Sequence, residues 1–304
     1  MNFAVSEEFS ALLDALDKLL IQASSSPPPD GARSFFSQEL DGALEEAGFL
    51  DAAAIPEFGM IAAALVVQEI SSRPHIVEAA NSAFLRAAAL PDLPRPIAVL
   101  AGDIDHAARF LGVARSVVFV RGNDVRFCLI DRADTVPVDN FFAYPMARLA
   151  QPELCLSRAE AVADAEGVRR LLLLATACEL SGLLKGALFS VTDHVKNRRQ
   201  FGRPLGSFQS VQHRLAMCAS TIAAGEWLAR KAAGTQTDAE AAMAAGYLQE
   251  CTSRVLYDLH QFMGAMGLTL EHPLYRWSYR ARLLLSELGG ASRQLRDLAA
   301  TTWP

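Results

Sequence analysis

This 304-residue sequence predicts a mainly helical protein with a small β region in its middle. Three observations carry that expectation. Apolar residues recur at helical spacing up to residue 71 and again from about Ser157 onward; the stretch from Ile97 to Ile130 is made of short β-branched runs; and proline-rich segments separate the two regimes. The order implies three parts: an amino-terminal helical domain over 1–92, a reduced middle β domain over 93–156 and a carboxy-terminal helical bundle over 157–304. A hydrophobic content of 51 % against 20 % charged residues places the chain among globular proteins rather than disordered ones.

Residues 6–24 set Phe9, Leu12, Leu13, Leu16, Leu19 and Leu20 at helical intervals, with acidic residues early and Lys18 late, as the helix dipole favours. Ser24 to Gly31, with three consecutive prolines, breaks the pattern into a loop. From Ser34, Phe35, Leu40, Leu44 and Phe49 mark an amphipathic helix ending near Gly48, and Met60 to Ser71 form a more apolar one stopped by Ser72-Arg73-Pro74. Ile97–Leu100, Ser116–Val120 and Val125–Ile130 read as strands, with Arg121-Gly122-Asn123-Asp124 as a hairpin turn between the last two. Four long helices follow, over 160–200, 207–234, 237–268 and 273–300. No apolar run approaches the ~20 residues that span a bilayer, and the amino terminus lacks the basic and apolar regions of a secretion signal.

The net charge of -6 and the absence of basic clusters argue against nucleic acid as a partner. The five cysteines show neither metal-ligand nor disulfide-framework spacing, which suits a reducing cytoplasm, and no membrane partner is expected. The six histidines form no metal-binding pattern. No Gly-x-Ser-x-Gly or phosphate-binding loop points to a hydrolase or a nucleoside triphosphatase. Glu271-His272-Pro273 reads as a helix start, and Trp277 and Tyr279 as core or interface residues.

Two segments carry specific chemistry. The first runs from Asn197 through Arg198-Arg199-Gln200-Phe201-Gly202-Arg203-Pro204 to His213, and the second is Gln261-Phe262-Met263-Gly264-Ala265-Met266-Gly267. In this order and spacing they resemble the two carboxy-terminal signatures of the acyl-CoA dehydrogenase family. The resemblance covers most of the chain loosely and 165–300 closely, with Leu44–Leu50 and Ala64–Ile70 similar to the family's early helices. It implies an FAD-dependent oxidation of the α,β bond of acyl-CoA thioesters, on a fold of helical amino-terminal domain, middle β domain and carboxy-terminal four-helix bundle. By the same resemblance, Arg198 reaches the FAD of a neighbouring subunit, where a forked guanidinium matches pyrophosphate oxygens. Phe201 and Gln209 line the same channel, Gln261 hydrogen-bonds the ADP portion, and Gly264 lets the backbone approach it. The family's second glycine is replaced here by Ala265, which adds a methyl group.

The chemical half looks different. The α-proton is removed by a glutamate that the family places at one of two positions, and counting along the motifs puts Leu172 at the first and Leu288 at the second. Glu287 adjoins the second position and is the one weak candidate for a base; Glu179 lies two helical turns beyond Leu172. A displacement of that size does not preserve catalytic geometry. The flavin-facing loop of the family, of the Thr-Glu-Pro-x-x-Gly-Ser-Asp kind, has no counterpart between Ile97 and Leu154. Together these absences resemble the smaller subunit of bacterial heterotetrameric acyl-CoA dehydrogenases, which completes the FAD site of a larger catalytic chain in an α2β2 assembly associated with bulky, steroid-type acyl groups. Two other readings stand beside it: a self-sufficient homotetrameric dehydrogenase with Glu287 as base, and a flavin-free scaffold or acyl-CoA binder.

Overall fold

The computed structural model describes residues 7–23 and 34–302; the expected Ser24–Gly31 loop lies outside them. Four helices come first: α1 (Glu7–Ala23), α2 (Gln38–Glu46), α3 (Gly59–Ser71) and α4 (Ala80–Ala88). Leu16, Leu20, Leu40, Leu44, Val66 and Ile70 pack into one core from the first three. Gly48 ends the α2 region with φ 73°, a conformation that glycine adopts without steric cost. The short α4 was not foreseen. Its nine residues, largely buried, are too few for a clear period.

The middle region holds two small sheets. β1 (Ile97–Ala101) pairs in parallel with β3 (Ser116–Arg121), which forms the expected hairpin with β4 (Asp124–Leu129), Arg121 facing Asp124 across Gly122 at φ 62°. β2 (Ala108–Arg109), β5 (Thr135–Pro137) and β6 (Met146–Leu149) make a second, antiparallel sheet that single-strand patterning did not reveal. A short helix α5 (Pro152–Ser157) leads to β7 (Glu160–Ala161), which pairs with β4.

The third helical set begins with α6 (Ala165–Asn197), capped by Asp164, whose carboxylate accepts the Gly167 amide at 2.8 Å. A two-stranded ribbon, β8 (Arg199–Gln200) and β9 (Arg203–Pro204), joins it to α7 (Gln209–Thr235), followed by α8 (Asp238–Met263), α9 (Leu274–Leu284) and α10 (Gly290–Thr302). The largest departures from the sequence expectation are three. α6 starts at Ala165 rather than 160, because residues 160–161 belong to the sheet. α8 stops at Met263, where Gly264 turns to φ 57°, and a 3-10 turn follows. The single helix expected over 273–300 is two, interrupted at Glu287–Gly289, with Leu288 left-handed at φ 55°. The Gly289-Gly290 pair was the available signal for that break.

α6 is apolar on every side because helices surround it: its Leu171, Leu174, Leu180, Leu183 and Val191 share one core with α3, α4, α7, α8 and α9. By length and composition it could cross a membrane, contrary to the sequence expectation, yet 83 % of its most apolar window is buried inside the protein. Trp277 takes the core position, its indole donating to the Ser72 carbonyl at 3.0 Å, while Tyr279 is half-buried.

Charge also ties α3 to α6. Glu69 receives Arg73 at 2.8 Å and Lys185 at 3.2 Å. Burial would raise its pKa, but the charges of Lys185 and Arg73 outweigh burial and lower it below the ordinary 4.5. A depressed carboxylate stabilises the fold fully above its unfolded value, and the contribution is lost as pH falls through the folded value. Glu69→Gln should therefore be less stable than the parent by about 1 kcal/mol at neutral pH, and denaturation curves should converge as pH drops below 4.5. A gap that persists unchanged in acid would assign the effect to packing instead.

Candidate functional site

The Arg198–Gln209 segment is built by helix termination. The last α6 bond runs from the Arg198 amide to the His194 carbonyl at 2.8 Å, and Arg198 itself is extended. The ribbon then reverses through Phe201 and Gly202, both with positive φ (53° and 80°), the pairing that suits a two-residue hairpin. Phe201 pays for that with a non-glycine left-handed backbone, and its ring is 87 % exposed, edge-on to Phe208 at 6.1 Å. Arg203 lies over the Phe208 ring at 4.0 Å, and the Leu205 amide bonds back to the Arg198 carbonyl at 2.8 Å. Gln209 opens α7, whose N-cap Phe208 makes no side-chain cap hydrogen bond. Arg198 makes no ion pair among the described residues, and His213 is an exposed helix-surface imidazole.

The second segment lies at the end of α8. Gly264 has φ 57° and ψ -140°, while a Cβ there would meet nothing within 4 Å, so backbone conformation rather than space demands glycine. Ala265 is exposed, and within this chain its extra methyl is not crowded. A cavity of about 780 Å³ is lined here by Tyr257, His260, Gln261, Gly264, Tyr279 and Arg282. Burial lowers the His260 pKa, keeping the imidazole neutral near pH 7. The two segments share one end of the bundle. Arg214 of α7 pairs with Asp258 of α8 and covers the Phe262 ring at 5.3 Å, and His194 meets His272 edge-on at 5.8 Å. His272 also accepts the Leu274 amide at 3.3 Å, capping α9. Arg198, Phe201, Gln209, Gln261 and Gly264 are all exposed at this end. A guanidinium, carboxamides and an exposed aromatic ring are groups that pair with phosphate and a purine, so these residues fit the ADP portion of a dinucleotide.

The carboxylate candidates sit elsewhere. Leu172 is buried in the α6 core, and Leu288 is half-buried at the break between α9 and α10. Glu179 and Glu287 converge on one guanidinium: Arg109 donates through Nη1 to Glu179 at 2.7 Å and through Nε to Glu287 at 3.0 Å. Tyr144 donates its hydroxyl to the other Glu179 oxygen at 2.7 Å. Burial opposes the Arg109 charge, but the two carboxylates outweigh it and hold its pKa above the ordinary arginine range. Burial and the Glu179 charge push the Tyr144 phenol well above 10, so it remains a donor. Sequence reasoning missed Arg109 and Tyr144. An arginine in a two-residue strand carries no local signal of partners 70 and 178 residues away.

Residues 169–302 match the family described as acyl-CoA dehydrogenase, C-terminal domain. The chain is 32 % identical over 209 residues to acyl-CoA dehydrogenase FadE34 of Mycobacterium tuberculosis, a match covering 64 % of this chain and 29 % of that protein. It thus spans under a third of that relative's length. Among solved structures, a chain of the ChsE4-ChsE5 complex from Mycobacterium tuberculosis superposes with a TM-score of 0.81 at 22 % identity, covering 100 % of both chains. The Tcur3481-Tcur3483 steroid ACAD follows with a TM-score of 0.77 at 21 % identity, over 97 % of this chain and 98 % of that one. With its carboxy-terminal signatures gathered at one end of the bundle, the chain matches the acyl-CoA dehydrogenase C-terminal domain over residues 169–302 and shares the fold of these solved structures over its length.

Proposed function

We propose that this chain is the smaller, catalytically incomplete subunit of an FAD-dependent acyl-CoA dehydrogenase, completing the ADP side of a larger partner's FAD site in an α2β2 assembly. One observation carries the reading: the five signature residues all face outward at one end of the bundle, while both base positions are leucine and the two neighbouring carboxylates are committed to Arg109. Outward donors serve a cofactor held by another chain. When bound, FAD supplies the hydride acceptor for α,β-dehydrogenation. This chain's part is binding and orientation: Arg198 against the pyrophosphate, Phe201 along the channel, Gln209 on the adenosine portion, Gln261 and the Gly264 backbone on the ADP. The α-proton goes to a base of the partner.

A bulky, steroid-type acyl-CoA is the substrate class we favour, since the similar Tcur3481-Tcur3483 protein is called a steroid ACAD. We place the assembly in the cytoplasm, in keeping with five free cysteines. The homotetrameric alternative asks Glu287 to leave Arg109 before it can accept a proton, and the flavin-free scaffold leaves the outward donor set without a use.

The test is the flavin absorbance of the chain purified alone and with a co-expressed larger dehydrogenase subunit. Flavin only in the mixed sample is expected, and Arg198→Ala should weaken its retention on the order of 10-fold or more, the effect of losing a charge-assisted phosphate contact. A full flavin complement on this chain alone, or unchanged retention in the variant, would sink the reading.

A further inference from the structure

We infer that Arg109, Tyr144, Glu179 and Glu287 form a largely buried ionic lock that fastens the β2–β5–β6 sheet to the helical bundle. The four residues come from separate parts of the fold. Arg109 is in β2, Tyr144 precedes β6 of the same sheet, Glu179 lies in the middle of α6, and Glu287 stands at the break between α9 and α10. Arg109 and Glu179 are 5 % and 4 % exposed, and Tyr144 is fully buried. The guanidinium also lies 5.6 Å from the Phe110 ring and 5.4 Å from the Tyr144 ring, and those rings meet edge-on at 5.2 Å. Arg280, also buried, donates to the carbonyls of Arg73 and His75 and feels the charge of Glu179.

Backbone strain marks the same place. Among the described residues five non-glycines have left-handed φ: Phe110, Ala143, Phe201, Gln236 and Leu288. Phe201 belongs to the ribbon turn and Gln236 ends α7. The remaining three each adjoin a lock residue: Phe110 follows Arg109, Ala143 precedes Tyr144 and Leu288 follows Glu287. Such conformations persist only where the surroundings over-determine them. The lock is what does so here. Gln249 and Gln294 reinforce the third strained point, donating to the carbonyls of Glu287 at 3.0 Å and Leu288 at 3.1 Å.

With both carboxylates held by one guanidinium, neither is at liberty to act as a base. This holds whether or not the chain supports a partner's FAD.

Amide hydrogen exchange on the full chain tests the lock, comparing the parent with Arg109→Gln. Exchange should rise together at 108–110, 143–147 and 286–290, on the order of 10-fold or more, with 198–209 and 261–264 unchanged. No rise at the three segments, or a rise shared equally by α1 and α7, would overturn it. Should Arg109→Gln fail to fold, Glu287→Gln carries the test: a coupled rise at 108–110 and 286–290 supports the lock, and a rise at 286–290 alone refutes it. Flavin retention measured on the co-expressed complex of the same variants bears on the ADP-side role only, so either idea can fail by itself.

Discussion

Arg109→Leu is expected to lower the stability of the fold by about 3–5 kcal/mol, the cost of leaving the buried Glu179 carboxylate without its cation. Glu179 would keep only the Tyr144 hydroxyl, and Glu287 would lose its 3.0 Å partner. For a chain of this size that corresponds to a fall of roughly 5–10 °C in melting temperature. The replacement also removes the cation packed beside the Phe110 and Tyr144 rings. A triple variant, Arg109→Leu with Glu179→Gln and Glu287→Gln, should recover much of the loss, because no carboxylate is then stranded and the amide oxygen at 179 still accepts from the Tyr144 hydroxyl. Thermal melts followed by circular dichroism decide it. If the triple variant melts as low as the single one, the loss comes from packing rather than from uncompensated charge.

The second large effect is steric. Gly186 sits where α6 passes the end of α3, and a Cβ there would overlap the Ser72 carbonyl oxygen and the Trp277 indole nitrogen, which are hydrogen-bonded to each other at 3.0 Å. Gly186→Ala must break that bond or push the helices apart. Overpacking of this kind costs about 1–3 kcal/mol, and the lost bond adds roughly 0.5–1.5. Better helix propensity returns up to about 1 kcal/mol, leaving a net loss near 2. Gly42→Ala is the control, since it lies within α2 and its new Cβ meets nothing within 4 Å. That variant should be neutral or slightly stabilised in a denaturant titration. Equal destabilisation of both would point to a general intolerance of alanine rather than to the α3–α6 approach.

The signature segments were readable because their chemistry is local. Arg198 through Gln209 is a helix end, a tight ribbon and a helix start, each with its own residue requirements, and Gln261 and Gly264 lie within one turn of a helix terminus. That the two segments meet at one end of the bundle depends on α7 and α8 lying side by side, which Arg214 and Asp258 report in the structure. Glu287 and Glu179 were visible as carboxylates near base positions. Their joint capture by Arg109 was not, since the three residues are far apart in sequence.

The sequence alone determined the class of fold, the long bundle helices, the β3–β4 hairpin and the identity of the outward donors, because helical and strand periodicities and turn chemistry act over a few residues. Tertiary structure decided the rest: the second sheet, the short α4, the break at Leu288 and the buried lock. Each of these depends on partners brought together from distant segments, where burial raises the cost of an unpaired charge and packing holds a backbone that its own residues would not choose.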